Sequence, residues 1–83
     1  MRYTVRLSKS AVKSLESIYD PVYSRIKQAI DNLADNPRPQ GCKKLRGRDA
    51  YRIRVSDYRI IYEVIDLSLY VDIVAIGHRK NIY

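Results

Sequence analysis

The segment Tyr51-Arg52-Ile53-Arg54-Val55-Ser56-Asp57-Tyr58-Arg59-Ile60-Ile61-Tyr62-Glu63-Val64 repeats its apolar residues at every second position. Tyr51, Ile53 and Val55 alternate with Arg52 and Arg54, and Tyr58, Ile60, Tyr62 and Val64 alternate with Arg59, Ile61 and Glu63. A period of two belongs to a strand with one buried face, so the segment reads as a hairpin turning at Ser56-Asp57. Antiparallel pairing then sets Val55 opposite Tyr58, Arg54 opposite Arg59, Ile53 opposite Ile60 and Arg52 opposite Ile61, whether the loop has two or four residues. Tyr51, Ile53, Ile60 and Tyr62 fall on the core face, and Arg52, Arg54 and Arg59 stand together on the other.

Downstream, Asp66-Leu67-Ser68 makes a second hairpin connection into the run Leu69 to Ile76, apolar nearly throughout as a central strand covered on both faces should be; Gly77 is expected to end it. Upstream, Asn36-Pro37-Arg38-Pro39-Gln40-Gly41 reads as an extended connection, because proline fixes φ and turns the preceding residue away from helix. From Pro21 to about Ala34, the residues Val22, Ile26, Ala29, Ile30 and Leu33 form one helical stripe, with Asp20 as its cap and Pro21 at its first position. A first helix follows the N-cap Ser8, with Val12, Leu15 and Ile18 or Tyr19 facing inward, and Tyr3, Val5 and Leu7 mark a short strand before it. The order β-α-α-β-β-β predicts an α+β fold, a helical hairpin packed on one face of a small, mainly antiparallel sheet.

A chain of 83 residues suits one domain, residues 1–83, with a single core. Lys and Arg number 16 against 9 Asp and Glu, a formal charge of +7 that suits a polyanion or an acidic protein partner. Eight tyrosines without Trp or Phe give the aromatic surface a polar character. Cys42 is the single cysteine, which excludes a disulfide framework and fits a reducing cytoplasm; Cys42 itself reads as a bystander. The N-terminus is too short and polar for a signal peptide, and no apolar run approaches the roughly 20 residues that span a bilayer, so the cytoplasm is the expected compartment and no membrane is involved.

Arginines directly opposite on neighbouring strands repel, at a cost of some tenths of a kcal/mol up to about 1 kcal/mol. Singly, each reads as a solvated residue whose stem covers apolar surface. As a group they point to an anion site. His78, Arg79 and Lys80 add charge beyond the last strand, and Tyr83 closes the sequence. Lys43, Lys44, Arg46 and Arg48 make the segment before the hairpin basic, a diffuse phosphate-steering surface, with Leu45 between them as a core anchor. There is no Walker loop, GxGxxG or HExxH motif, and no second His or Cys to complete a metal site, so no metal or other cofactor is expected.

The run Lys43-Lys44-Leu45-Arg46-Gly47, the hairpin Tyr51-Arg52-Ile53-Arg54-Val55 to Tyr58-Arg59-Ile60-Ile61-Tyr62-Glu63-Val64, and Gly77-His78-Arg79 ending at Tyr83 resemble the RelE group of the RelE/ParE toxin superfamily over nearly the whole chain. The resemblance implies a toxin of a type II toxin-antitoxin system, a ribosome-dependent endoribonuclease that cuts mRNA in the ribosomal A site by attack of a 2′-hydroxyl on the adjacent phosphate. It implies an active surface at Arg52, Arg54, Arg59, Arg79 and Tyr83, beside which the basic residues Lys43, Lys44, Arg46, Arg48, His78 and Lys80 are expected RNA contacts. Its implied partners are a RelB-like antitoxin protein, the ribosome and mRNA.

Guanidinium forks suit the extra negative charge of a crowded phosphate, for which Arg79 and Arg59 are the candidates, while Arg52 and Arg54 hold the backbone and the leaving-group side. Tyr83 is the candidate base or stacking platform. Family members carry lysines at the positions of Arg52 and Arg54, and an arginine, with a pKa above about 12, is a poor proton shuttle. The competing readings are a ParE-like inhibitor of DNA gyrase and a non-enzymatic RNA-binding module.

Overall fold

The computed structural model describes residues 2–46 and 49–78. Its elements are β1 (Thr4–Leu7), α1 (Lys9–Glu16), α2 (Val22–Leu33), β2 (Lys43–Lys44), β3 (Ala50–Val55), β4 (Tyr58–Ile65) and β5 (Tyr70–His78). The strands form one sheet in the order β1-β5-β4-β3-β2. Every neighbouring pair is antiparallel except β1 with β5, which run parallel and are joined through the rest of the domain rather than by a hairpin. The fold is α+β as the sequence predicts, with β2 as an additional edge strand.

The β3–β4 register matches the expected one pair for pair, from Val55 opposite Tyr58 to Tyr51 opposite Tyr62. The turn is made by Ser56 and Asp57, with Ser56 at φ +54, the handedness that primed hairpin turns demand of their first central residue. Tyr51, Ile53, Ile60, Tyr62, Val64, Val71, Ile73 and Ile76 meet Ala11, Leu15, Ile18, Ile26, Ile30 and Leu33 in one core.

Four expectations need correction. The buried stripe is Ala11 and Leu15 of α1, continued by Ile18 just past its end, whereas Val12 is 44% exposed and Tyr19 points to solvent; both phases satisfy helical spacing, and the helix presents its small residue where it crosses the sheet. Pro21 occupies the N-cap position of α2 and the helix starts at Val22, although Asp20 still supplies the cap, its carboxylate accepting the backbone N–H of Ser24. The last strand continues through Gly77 to His78, because pairing with β4 persists to Tyr58. Leu45 is half-buried and outside the core, its N–H donated to the Ala50 carbonyl.

A bulge interrupts the β4–β5 ladder: Tyr62 pairs with Ile73 and Ile61 with Ala75, leaving Val74 as an extra residue. Ser8 ties it to α1. Its hydroxyl donates to the Val74 carbonyl at 2.8 Å and accepts the N–H of Ala11 at 3.0 Å, so one side chain caps the helix and holds the bulged strand. Ser8→Ala removes both bonds and is expected to cost about 1–2 kcal/mol in urea denaturation, more than an ordinary surface cap.

The connection before β2 is anchored by side chains. Tyr62 donates its hydroxyl to the Pro37 carbonyl at 2.7 Å, and Tyr51, stacked on it, accepts from Arg38 Nε at 2.9 Å. Arg38 also grips Asp66 with both terminal nitrogens, and Tyr3 donates to the same carboxylate. Arg38 first, and Tyr3 second, hold the Asp66 carboxyl below its ordinary value. Because the folded form prefers the carboxylate, this stabilisation is present at neutral pH and is lost as the pH falls below about 4. Urea midpoints measured against pH should therefore drop in the acid range, and Asp66→Asn should flatten that drop.

Candidate functional site

The chain's backbone hydrogen bonds decide what each strand presents. The N–H of Val64 reaches the Asp49 carbonyl, and the N–H of Leu45 reaches the Ala50 carbonyl. Odd-numbered residues of β3 therefore turn their backbone groups toward β4, and even-numbered ones toward β2. Arg54 and Arg59 form a pair without mutual backbone bonds, the kind in which Cα atoms come to about 4.5 Å and side chains lie closest.

On the sheet face away from the helices, Arg54 stands opposite Arg59, and Arg52, two residues along, stands opposite Lys43 of β2. Two like-charge pairs thus follow one another across three strands. Arg54 is exposed and Arg52 half-buried; Arg59 is half-buried with its Nε fully enclosed, so its charge is carried close to the sheet surface. Gly77 is the β5 neighbour of Arg59 and adds no side chain to this face. Glu63 lies diagonally from Arg52 on the same face, paired across β5 with Asp72. Asp72 is held by Arg6 at 2.7 and 2.9 Å, so the acidic end of the face is compensated and the cationic excess collects at the other end. Among the described residues no helix covers this face.

The bulge at Val74 controls what β5 brings to it. Past the bulge the alternation shifts by one, so Gly77 joins the arginine face and His78 the helix face. His78 meets Tyr58 edge-on, ring centroids 5.6 Å apart, and lines a hollow of about 410 Å³ with Ser10, Ser14 and Ser17. The structure therefore separates His78 from the arginines. Lys44, opposite Tyr51, also points to the helix side and pairs with Asp49 at 3.7 Å, while Arg46 is exposed in the turn that follows. Arg48, Arg79, Lys80 and Tyr83 lie outside the described residues.

Sequence reading missed the pairing of Lys43 with Arg52. A two-residue strand of lysines has no hydrophobic period, and only the half-buried Leu45 and Cys42 flanking it mark an ordered segment. As a chemical surface, the cluster is a compact set of charge-bearing hydrogen-bond donors, suited to phosphate oxygens.

Residues 5–83 match the family described as the ParE toxin of type II toxin-antitoxin systems. The chain belongs to the RelE/ParE toxin family. Among this toxin's relatives, a protein of Escherichia coli described as a putative RelE-like toxin is 34% identical, with 98% of this chain and 87% of that protein covered. The mRNA interferase toxin RelE of Escherichia coli strain K12 is 30% identical over the same shares. In the crystal structure of the archaeal RelE-RelB complex from Pyrococcus horikoshii, a chain 31% identical superposes with a TM-score of 0.83, covering 98% of this toxin and 99% of that chain. The toxin's helical hairpin on one sheet face, with the other face uncovered in the described residues, is thus a RelE-type fold. No helix among its described residues is long and apolar enough to cross a membrane.

Proposed function

We propose that this toxin is a ribosome-dependent endoribonuclease that cleaves mRNA in the decoding site and is neutralised by a RelB-like antitoxin. The observation that carries the reading is the pair of successive like-charge register positions, Arg54 opposite Arg59 and Arg52 opposite Lys43, on a sheet face that no described helix covers. Cations gathered on one open face in this way suit the phosphates of an RNA backbone. The relatives named as mRNA interferases, and the RelE chain solved with RelB, support the substrate and the partner.

In this reading a ribose 2′-oxygen forms a bond to the adjacent phosphorus as the bond to the 5′-oxygen breaks. The products are a 2′,3′-cyclic phosphate and a 5′-oxygen that takes a proton from water to become a free hydroxyl. Arg59, recessed in the sheet opposite Gly77, receives the charge that builds on the phosphate, together with Arg79. Arg54, which is exposed, and the half-buried Arg52 hold the backbone and the leaving-group side. Tyr83 accepts the 2′-hydroxyl proton or stacks on a base. An arginine at positions 52 and 54 orients and neutralises but does not shuttle protons, so this toxin divides labour differently from relatives with lysines there. The cytoplasm, where ribosomes translate, is the compartment this activity requires.

The matching family is described by its ParE members, which makes gyrase the second target to test. Purified toxin added to a coupled translation reaction should shorten mRNA while leaving supercoiling by DNA gyrase unchanged. Intact mRNA with supercoiling blocked would transfer the toxin to the gyrase poisons.

A further inference from the structure

Between β3 and the connection before β2 lies a notch of about 390 Å³ lined by Gln40, Gly41, Lys43, Arg52, Ile53 and Arg54. It exists because β2 is so short. Lys43 and Lys44 pair with Arg52 and Tyr51, and then the chain leaves the sheet at Cys42, whose N–H is taken by the Pro39 carbonyl, with Gly41 at φ +93. Arg54, two residues beyond the last β2 contact, is even-numbered, so its backbone N–H is turned toward this side of β3. A main-chain donor, three cationic side chains and the Gln40 amide thus border one recess. No carboxylate is among the residues that line it.

We infer that this notch is a second phosphate subsite, which holds the mRNA phosphodiester next to the one that is cut, with Lys43 as its principal side chain and Arg54 shared between the two phosphates. The inference rests on the proposed ribonuclease reading and deepens it: Lys43 becomes a substrate contact of defined place instead of part of a diffuse field. The neighbouring lysine shows the difference. Lys43 and Lys44 carry the same charge one residue apart, but strand alternation sends Lys43 to the arginine face and Lys44 to the helix side, toward Asp49.

The test uses full-length toxin on ribosomes programmed with a defined mRNA in which single phosphates are neutralised as methylphosphonates. Lys43→Ala is expected to raise KM by about ten-fold with kcat nearly unchanged, as loss of uniform binding does, and Lys44→Ala to change KM by less than about two-fold. Neutralising one phosphate adjacent to the scissile bond should weaken wild-type toxin by a similar factor and leave Lys43→Ala insensitive. Both variants alter exposed strand positions, and unchanged melting temperatures will show that they are folded.

The notch assignment is overturned if Lys44→Ala matches Lys43→Ala, which indicates a diffuse field, or if both toxins respond equally to every neutralised phosphate. It is also overturned if Lys43→Ala weakens antitoxin binding with KM unmoved, which gives the notch to the protein partner. These results leave the ribonuclease reading standing, because wild-type toxin still cuts; absence of any cutting by wild-type toxin would remove that reading and the notch with it.

Discussion

Arg59→Ala is expected to slow mRNA cleavage on programmed ribosomes by about 10²–10³-fold, the loss that follows removal of one donor from developing transition-state charge. The loss should fall on kcat, since the recessed guanidinium is placed for charge that appears on the phosphate as it becomes crowded. Antitoxin binding should persist, because Arg59 sits within the sheet and contributes little exposed area. Arg54→Ala offers a complementary reading: it removes the opposite member of the like-charge pair, so it should slow cleavage while relieving a repulsion worth some tenths of a kcal/mol up to about 1 kcal/mol. A toxin whose Arg54→Ala variant is both slower and no less stable carries that arginine for its substrate.

The largest effect on stability is expected from Ile26→Ala. Ile26 is 0% exposed at the centre of the α2 stripe, and its truncation removes buried methylene and methyl groups and leaves a cavity against the sheet, at about 2–5 kcal/mol. A domain of this size has little to spare out of the roughly 5–15 kcal/mol typical of folded proteins, so the variant should be largely unfolded at moderate urea. Val12→Ala, on the solvent-facing side of α1, should shift stability by no more than about 0.5 kcal/mol. If Val12→Ala proved the costlier of the two, the helix phases described here would be wrong.

The contrast between those two positions shows where the sequence was informative. The hairpin register was legible because two strands of period two share one turn, and any slip by one residue would bury Arg52, Arg54 and Arg59 and expose Ile53, Ile60 and Tyr62. The α2 stripe was legible because several large aliphatic residues agree on one phase. In α1 they do not: Ala11 and Val12 are adjacent and both apolar, and size favoured Val12 while close packing on the sheet chose Ala11.

β5 is apolar at nearly every position on both faces, so no alternation could reveal the extra residue at Val74. That residue alone decides that Gly77 borders Arg59 and that His78 turns away. β2 was illegible for the opposite reason, being polar on both faces; its place is set by Leu45 and Ala50 closing the backbone around it. Of the candidate site, Arg52, Arg54 and Arg59 were found by their pattern, and Lys43 emerged as their fourth member only with the structure.

The cationic sheet face is expected to cut mRNA held in the ribosome, and primer extension reads that cleavage at nucleotide resolution. Purified toxin is added to ribosomes stalled on a defined mRNA, beside Arg59→Ala toxin and the same mRNA free in solution, and new 5′ ends are mapped. New ends confined to the decoding site, absent with Arg59→Ala and absent from free mRNA, are the predicted result. Full-length mRNA in every lane, or ends that persist unchanged with Arg59→Ala, would contradict it.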